Sequence, residues 1–264
     1  MPNTTANGLI LEYDTTGSPA DPPLLLVMGL GAQLITWPDG FCRALADRGF
    51  FVVRYDNRDA GLSSRIEAAG VPDLAAVMTG TADAPYHVSD MAADGIGLLD
   101  ALGIAAAHVV GASMGGMIAQ HMAFEYPDRV LSLCSIMSAP TGTMAADPPT
   151  PEAGAALLRP APTTREEAIE AGVEGARTIG SPGFPFDEAK ARDRAAASYD
   201  RAFYPLGIIR QFAAVTATGD WTSKLAGVKA PTLIIHGGAD PLVRPGWGRR
   251  TAEAIPGATL LTIP

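Results

Sequence analysis

Short apolar runs of strand length alternate with segments of helical spacing along most of the chain. The predicted strands occupy residues 9–13, 24–28, 50–55, 109–111, 130–137, 232–235 and 258–263. Residues 37–47 and 88–102 place their apolar side chains on one helical face, and Ser89 is the predicted N-cap of the second helix. Residues 67–84 show neither pattern and are predicted as a loop. This alternation predicts an α/β fold with a mostly parallel, doubly wound sheet.

The pattern changes after residue 139. Residues 140–162 are rich in proline and alanine, and the stretch that follows has helical spacing at 164–178, 187–203 and 206–216. No convincing strand occurs before the βα pattern resumes near residue 232. We therefore predict a core made of residues 1–139 and 226–264, with a helical cap, residues 140–225, inserted over the strand ends.

The stretch from 108 to 120 joins a predicted strand to a predicted helix through Gly111-Ala112-Ser113-Met114-Gly115. This G-x-S-x-G spacing is typical of a sharp turn that exposes a serine nucleophile, because only small residues fit two positions before and after it. The N-terminus of the helix adds unpaired N–H groups and a positive dipole end beside the hydroxyl. The alternative is a plain strand–turn–helix connection.

Two further turns follow predicted strands. Gly29-Leu30-Gly31 comes after the strand at 24–28, and Asp240 comes after the strand at 232–235. Because the carboxyl ends of parallel strands share one edge of the sheet, we expect both turns at the edge that carries Ser113. Each also has a structural alternative, a glycine turn in the first case and a capping aspartate in the second. Asp220 is the nearest rival of Asp240, but it precedes the strand.

Composition narrows the possible partners. The chain has 264 residues, a net charge of −9 and 47% hydrophobic residues, which argues for a globular protein and against binding to nucleic acid or an anionic membrane. The N-terminus lacks the features of a signal peptide, and the two cysteines lie among apolar residues, so we expect a cytoplasmic protein with free thiols. No metal-binding spacing is present, and we expect a monomer or a homodimer.

Taken together, these motifs resemble the α/β-hydrolase superfamily over nearly the whole chain. The matching stretches are residues 24–31, 54–64, 93–103, 111–116 and 231–243. The first two are most similar to esterases related to aclacinomycin methylesterase, which act on polyketide methyl esters. The resemblance implies a cofactor-free, metal-free serine hydrolase of carboxylic esters that works through an acyl-enzyme, with a small apolar ester as substrate.

The resemblance also implies roles for particular residues. Ser113 is the nucleophile and Asp240 the acid of the catalytic triad, because the family order is serine, acid, histidine. The backbone N–H groups of Leu30 and Met114 form the oxyanion hole. Apolar residues near these positions are predicted to line the substrate pocket, namely Leu34, Trp37 and Phe184, together with Leu30 and Met114.

The histidine base is the unassigned part of the triad. The family places it just after the last strand, whereas this sequence ends there, at Ile263-Pro264. The four histidines, at positions 87, 108, 121 and 236, are poorly placed substitutes, and His236 is the best of them. We expect the natural chain to continue with that histidine and with a final helix, whose absence leaves apolar sheet surface exposed.

Other reactions remain open. Lactonase, perhydrolase, C–C hydrolase and hydroxynitrile lyase chemistry all use the same constellation of residues. The alternative from another class is a non-catalytic protein that binds a small molecule on a hydrolase scaffold.

Overall fold

A computed structural model of the protein, which describes residues 1–157 and 159–264, contains a single eight-stranded sheet. The strands are β1 (Asn3–Ala6), β2 (Leu9–Thr16), β3 (Pro23–Val27), β4 (Phe51–Tyr55), β5 (Ala107–Ala112), β6 (Val130–Ile136), β7 (Thr232–Gly237) and β8 (Thr259–Ile263). Their order is β1-β2-β4-β3-β5-β6-β7-β8. Only the β1–β2 and β2–β4 pairs are antiparallel. The predicted mostly parallel α/β sheet is confirmed.

The described helices are α1 (Asp39–Ala46), α2 (Leu74–Met78), α3 (Val88–Ala101), α4 (Met114–Glu125), α5 (Pro151–Leu157), α6 (Arg165–Ile179), α7 (Glu188–Arg201), α8 (Pro205–Thr218) and α9 (Pro245–Ala254). Helix α2 lies inside the segment predicted as a loop, and the Asp73 carboxylate caps it by accepting the Ala76 N–H at 3.1 Å. The predicted N-cap of α3 was also wrong. His87, not Ser89, is the N-cap, and its N–H donates to Asp90 Oδ2 at 2.7 Å.

The two faces of the sheet are covered by different helices. Helices α3, α4 and α9 pack on one face, where they bury side chains such as Leu98, Ile118 and Trp247. Helix α1 packs on the other face against β3 and β4. Further along that second face, at the β8 edge, Leu261 is 49% exposed. The expected exposed apolar surface is therefore present, and the final helix that would cover it stays a prediction.

Residues 140–225 contain helices α5 to α8, of which α6, α7 and α8 lie close to the three predicted helical segments. Helix α5 was not predicted, because it falls in the proline- and alanine-rich stretch. An isolated antiparallel bridge between Thr141 and Asp220 joins the two ends of this segment. The Asp220 side chain also accepts the Thr222 N–H at 2.7 Å, so it stabilises the turn at which the segment returns to the core. The division into core and cap stays a prediction. In the described part of the chain, every helix is too short or too polar to cross a lipid bilayer.

Candidate active site

Ser113 stands at the turn between β5 and α4, in a backbone conformation that side chains rarely adopt. Its φ is 56° and its ψ is −124°. A Cβ atom on Gly111 would lie 2.0 Å from the Gly115 carbonyl oxygen, and one on Gly115 would lie 2.2 Å from the Val27 oxygen. Glycine is therefore required at both positions of the motif. A strained residue of this kind costs of order 1–3 kcal/mol and persists only where its surroundings enforce it.

Strand β6 and the residues that follow it hold both the N–H and the carbonyl oxygen of Ser113. The Ser113 N–H donates to the Ile136 oxygen at 2.9 Å, and the Ser138 hydroxyl donates to the Ser113 oxygen at 2.9 Å. The Ser113 side chain is half-buried, and its hydroxyl makes no hydrogen bond with any residue that the structure describes. The backbone is thus fixed while the hydroxyl stays available.

The glycine turn after β3 lies against Ser113. The register of β3 and β5 pairs Val27 with Gly111, which brings the two strand ends side by side. A Cβ atom on Gly29 would lie only 3.0 Å from Ser113 Cβ and 3.4 Å from Ser113 Oγ. Among the described residues, the N–H of Leu30 has no hydrogen-bond acceptor. The N–H of Met114 is the first of helix α4 and lacks an intrahelical acceptor.

Asp240 lies in the loop between β7 and α9, at the same edge of the sheet. Its Oδ1 accepts the N–H groups of Leu242 and Val243, both at 2.9 Å. Burial raises the pKa of this carboxyl, and those two hydrogen bonds oppose the rise. Strands β5 and β7 are separated only by β6, so Ser113 and Asp240 follow strand ends roughly 10 Å apart.

Each of the four histidines has other partners. His87 Nε2 lies 3.1 Å from Asp83 Oδ1. His108 is the second residue of β5, roughly 17 Å before Ser113, and hydrogen-bonds the Ser132 hydroxyl at 2.7 Å. His121 lies two helical turns past Ser113, and its Nδ1 is 2.9 Å from Glu125 Oε1.

His236 is the histidine nearest to the predicted acid. Its Nε2 lies 3.8 Å from Asp240 Oδ2 and donates to the Val243 oxygen at 2.6 Å. The ring is buried beneath α9, where a Cβ atom on Gly248 would lie 2.5 Å from His236 Nδ1. His236 therefore supports the loop that carries Asp240 and does not face Ser113.

The structure places the predicted pocket residues in different environments. Leu34 is fully buried, and Trp37 packs in the cluster beneath α1, stacked on Phe41 with 5.5 Å between ring centroids. Phe184 is 58% exposed, in the loop between α6 and α7.

Two apolar side chains that were not predicted as pocket residues lie at the turns next to Ser113. Ile208 of α8 covers the glycine turn so closely that a Cβ atom on Gly31 would lie 2.7 Å from its Cγ1. Met137, with a φ of 43°, directly follows β6 and is exposed. The position of Met137 at the end of a predicted strand was an available signal. The sequence held no signal for Ile208.

A buried polar network follows β4 and joins the sheet to helices α7 and α8. Asp56 accepts the Leu34 N–H at 2.7 Å and pairs with Arg201 of α7 at 2.7 Å. Asp59 pairs with Arg210 of α8, with both nitrogen–oxygen distances at 2.9 Å. Helix α8 also approaches the turn directly, because a Cβ atom on Gly207 would lie 1.9 Å from the Asp59 oxygen. These aspartates are structural and lie beside the candidate site.

Comparison with known proteins agrees with this geometry. The profile of the alpha/beta hydrolase fold matches residues 22–264. Rhodomycin D methylesterase DauP of Streptomyces sp. (strain C5) is 32% identical over 98% of this chain and 89% of its own length. 3-Oxoadipate enol-lactonase 2 of Acinetobacter baylyi is 28% identical over 97% of this chain and 85% of its own length.

Solved structures give the same result. The crystal structure of the enol-lactonase from Burkholderia xenovorans LB400 has a TM-score of 0.73 at 25% identity, covering 99% of this chain and 91% of that one. The sequence-based resemblance to methylesterases is confirmed by DauP. The profile match and the methylesterase relative together show that the chain belongs to the α/β-hydrolase family.

Proposed function

We propose that the protein hydrolyses carboxylic esters with Ser113 as its nucleophile. The observation that carries the proposal is the turn at Ser113, with its φ of 56°, its free hydroxyl and the glycine turn packed against it. A hydroxyl held in this way can approach an acyl carbon at the open edge of the sheet. The similarity to a protein named a methylesterase supports the same reaction.

The proposed reaction has two steps. Ser113 Oγ attacks the ester carbonyl carbon, its proton passes to a histidine base, and that proton then leaves with the alcohol. Water next attacks the acyl-enzyme, releasing the acid and restoring the serine. The oxyanion of each tetrahedral intermediate accepts hydrogen bonds from the Leu30 and Met114 N–H groups, and each donor typically lowers the barrier by about 3 kcal/mol.

Asp240 is the proposed partner of the histidine base. Its Oδ1 is held by two backbone N–H groups, which leaves Oδ2 to orient an imidazole ring. His87, His108, His121 and His236 each have other partners, so the proposal assigns the base to none of them. No step of this chemistry calls for a metal or an organic cofactor.

The proposed substrate is a small apolar ester. Leu30, Met137 and Ile208 give the surroundings of Ser113 an apolar character. Leu34, Trp37 and Phe184 stay proposals as pocket residues. A methyl ester is the first substrate to test, given the name of the methylesterase relative. We further propose that the protein acts as a monomer or a homodimer in the cytoplasm.

Covalent labelling with a fluorophosphonate tests the nucleophile directly. We expect label on Ser113, located by peptide mass spectrometry, together with hydrolysis of short p-nitrophenyl esters. Ser113→Ala should abolish both. Ser132→Ala is the control, since it removes a hydroxyl near the start of strand β6, whereas Ser113 lies beside the end of that strand. Label on another serine, or ester hydrolysis that survives Ser113→Ala, would contradict the proposal. A small molecule bound tightly without turnover would instead favour the non-catalytic alternative.

A lactone is the second candidate substrate, because two similar proteins are named enol-lactonases. A lactone is a cyclic ester, so the same nucleophile and oxyanion hole would serve. The ratio of kcat/KM for a lactone to that for a methyl ester of similar size separates the two substrates.

A further inference from the structure

Gln211 of helix α8 connects the segment 140–225 to the glycine turn beside Ser113. Its side chain is fully buried. The Oε1 atom accepts the Gly31 N–H at 2.7 Å, and the Nε2 atom donates to the Arg58 oxygen at 2.7 Å. One amide group thus ties the turn after β3 to the turn after β4.

The bond to Gly31 acts on the central peptide of a tight turn. The Ala32 N–H donates to the Gly29 oxygen at 3.2 Å, and Gly31 has a φ of 65°, as in the third residue of a type II turn. Glycine at this position is conformationally free, so the peptide between Leu30 and Gly31 can rotate unless it has an external partner. Gln211 provides that partner.

The far side of the same turn is held by helix α7. Gln33 Nε2 donates to the backbone oxygens of Ser198 and Ala202, at 2.7 and 2.8 Å. Its Oε1 accepts a hydrogen bond from Arg201 at 2.8 Å. Two helices of the 140–225 segment therefore hold the turn at Gly31 and just after it. The core contributes the Leu34 N–H bond to Asp56 and the bond from Asn57 Nδ2 to the Met28 oxygen, at 2.7 and 2.9 Å.

We infer that Gln211 is a positioning residue for the oxyanion hole, holding the turn that aims the Leu30 N–H at the reacting oxygen. The inference rests on the proposed function, because it assigns Gln211 to the hole that ester hydrolysis by Ser113 would use. An oxyanion hole is effective only when its donors are in place before charge develops. Gln211 touches neither substrate nor Ser113 and acts through Gly31.

Gln211→Met tests the inference, since methionine fills a similar volume without either hydrogen bond. We expect kcat for a p-nitrophenyl ester to fall roughly 10- to 100-fold while KM changes less than about threefold, because displacing a catalytic group by about 1 Å can cost 10²-fold. We also expect the Gly31 amide, protected from hydrogen exchange in the wild type, to exchange much faster.

Gln120→Met is the matched control. Gln120 is equally buried and bridges Ser135 and Trp221 through its own amide, but it lies away from the glycine turn. Its substitution should lower thermal stability by a similar amount and leave both kcat and Gly31 exchange near wild-type values. If Gln211→Met does not fold, Gln211→Asn replaces it, because the shorter amide cannot reach both partners.

The outcomes separate the two proposals. Wild-type protein that hydrolyses esters, with kcat in a folded Gln211 variant no lower than in Gln120→Met, would overturn the positioning role and leave the proposed function intact. Unchanged Gly31 exchange in the Gln211 variant would overturn it as well. Wild-type protein that hydrolyses no ester, or activity that survives Ser113→Ala, would overturn both.

Discussion

Arginines of residues 140–225 form two groups of ion pairs that have nearly the same geometry and opposite surroundings. Arg210 and Asp59 lie 2.9 Å apart, with side chains 1% and 0% exposed. Arg165 and Asp200 lie 2.7 Å apart, with side chains 48% and 54% exposed. Distance alone would rank them equally. Burial distinguishes them, because an exposed pair exchanges its bonds with water, whereas a buried partner left alone cannot be solvated.

The difference shows which part of the segment belongs to the site. The buried pairs, Arg210–Asp59 and Arg201–Asp56, attach α8 and the end of α7 to the turn after β4. The exposed pairs, Arg165–Asp200 and Arg192–Glu170, join α6 to α7 at the outside. The inner helix ends therefore act as part of the scaffold around Ser113, and the outer helices contribute less to its geometry.

Removing the most buried cation should have the largest effect. Arg210→Met leaves Asp59 fully buried with only the Tyr86 hydroxyl and the Ile66 N–H as partners. We expect a loss of about 3–5 kcal/mol in unfolding free energy, measured by urea denaturation, and a Tm lower by ~10 °C. Arg192→Met makes the same chemical change in an outer pair and should leave the midpoint nearly unchanged. Equal effects of the two substitutions would contradict the comparison.

Arg201→Met should have an intermediate effect. Asp56 loses Arg201 but keeps the N–H groups of Leu34 and Leu62, at 2.7 and 2.9 Å. Two backbone donors still satisfy the carboxylate, so we expect a loss of about 1–3 kcal/mol in unfolding free energy. A urea titration of this variant beside Arg210→Met gives the order. A larger loss of unfolding free energy for Arg201→Met than for Arg210→Met would contradict this order of the two buried ion pairs.

At His121, burial and the ion-pair partner Glu125 act on the pKa in opposite directions, and burial has the larger effect. The His121 ring is buried between Phe124 and Trp221, and burial lowers its pKa below the ordinary 6.5 although Glu125 opposes the shift. The unfolded chain therefore binds this proton more readily, so stability is lost as pH falls below about 6.5. We expect His121→Gln to lose less unfolding free energy than the wild type between pH 7.5 and 5.5, by urea titration at each pH. Parallel pH profiles would count against a depressed pKa.

The smallest effect is expected at the outer surface. Arg165→Ala breaks the pair with Asp200, where both side chains are already hydrated. Its Tm should match the wild type within error at low salt and in 1 M NaCl, by calorimetry. A measurable loss that disappears in salt would show that the outer pairs act as a network.

The turn at Ser113 was predictable because its glycine spacing is a short, local pattern. Gly111 is required by backbone atoms only four and five residues ahead, and the strand and helix on either side have clear apolar patterns. Gly115 is required by the end of β3, a contact that the spacing implies but does not itself display. The glycine turn and Asp240 were placed at the same edge by the topology of parallel strands alone. Most strands of the sheet, and the sheet edge at which the candidate catalytic groups lie, could therefore be predicted from the sequence.

The residues that attach α8 to the candidate site could not be predicted, because their contacts are not local. Arg210 and Gln211 read as ordinary helix residues, and their partners Asp59, Gly31 and Arg58 are far away in sequence. Trp37 lies two residues before α1, and nothing in its neighbourhood shows that its side chain packs in the cluster beneath that helix. Helix α2 was missed because its five residues are too few for a periodic pattern.

The close approach of Gly207 to the Asp59 carbonyl has a consequence for recombination between related hydrolases. The contacts made by α8 depend on the identities of Gly207, Arg210 and Gln211, whereas Gln33 reaches α7 chiefly through backbone oxygens that any sequence supplies. A chimera that exchanges residues 145–197 therefore keeps every anchor around the glycine turn. A chimera whose second junction lies beyond α8 also exchanges Gly207, Arg210 and Gln211. It therefore needs the turn after β4 from the same donor protein. The useful crossover in this scaffold lies ahead of Arg201, inside helix α7.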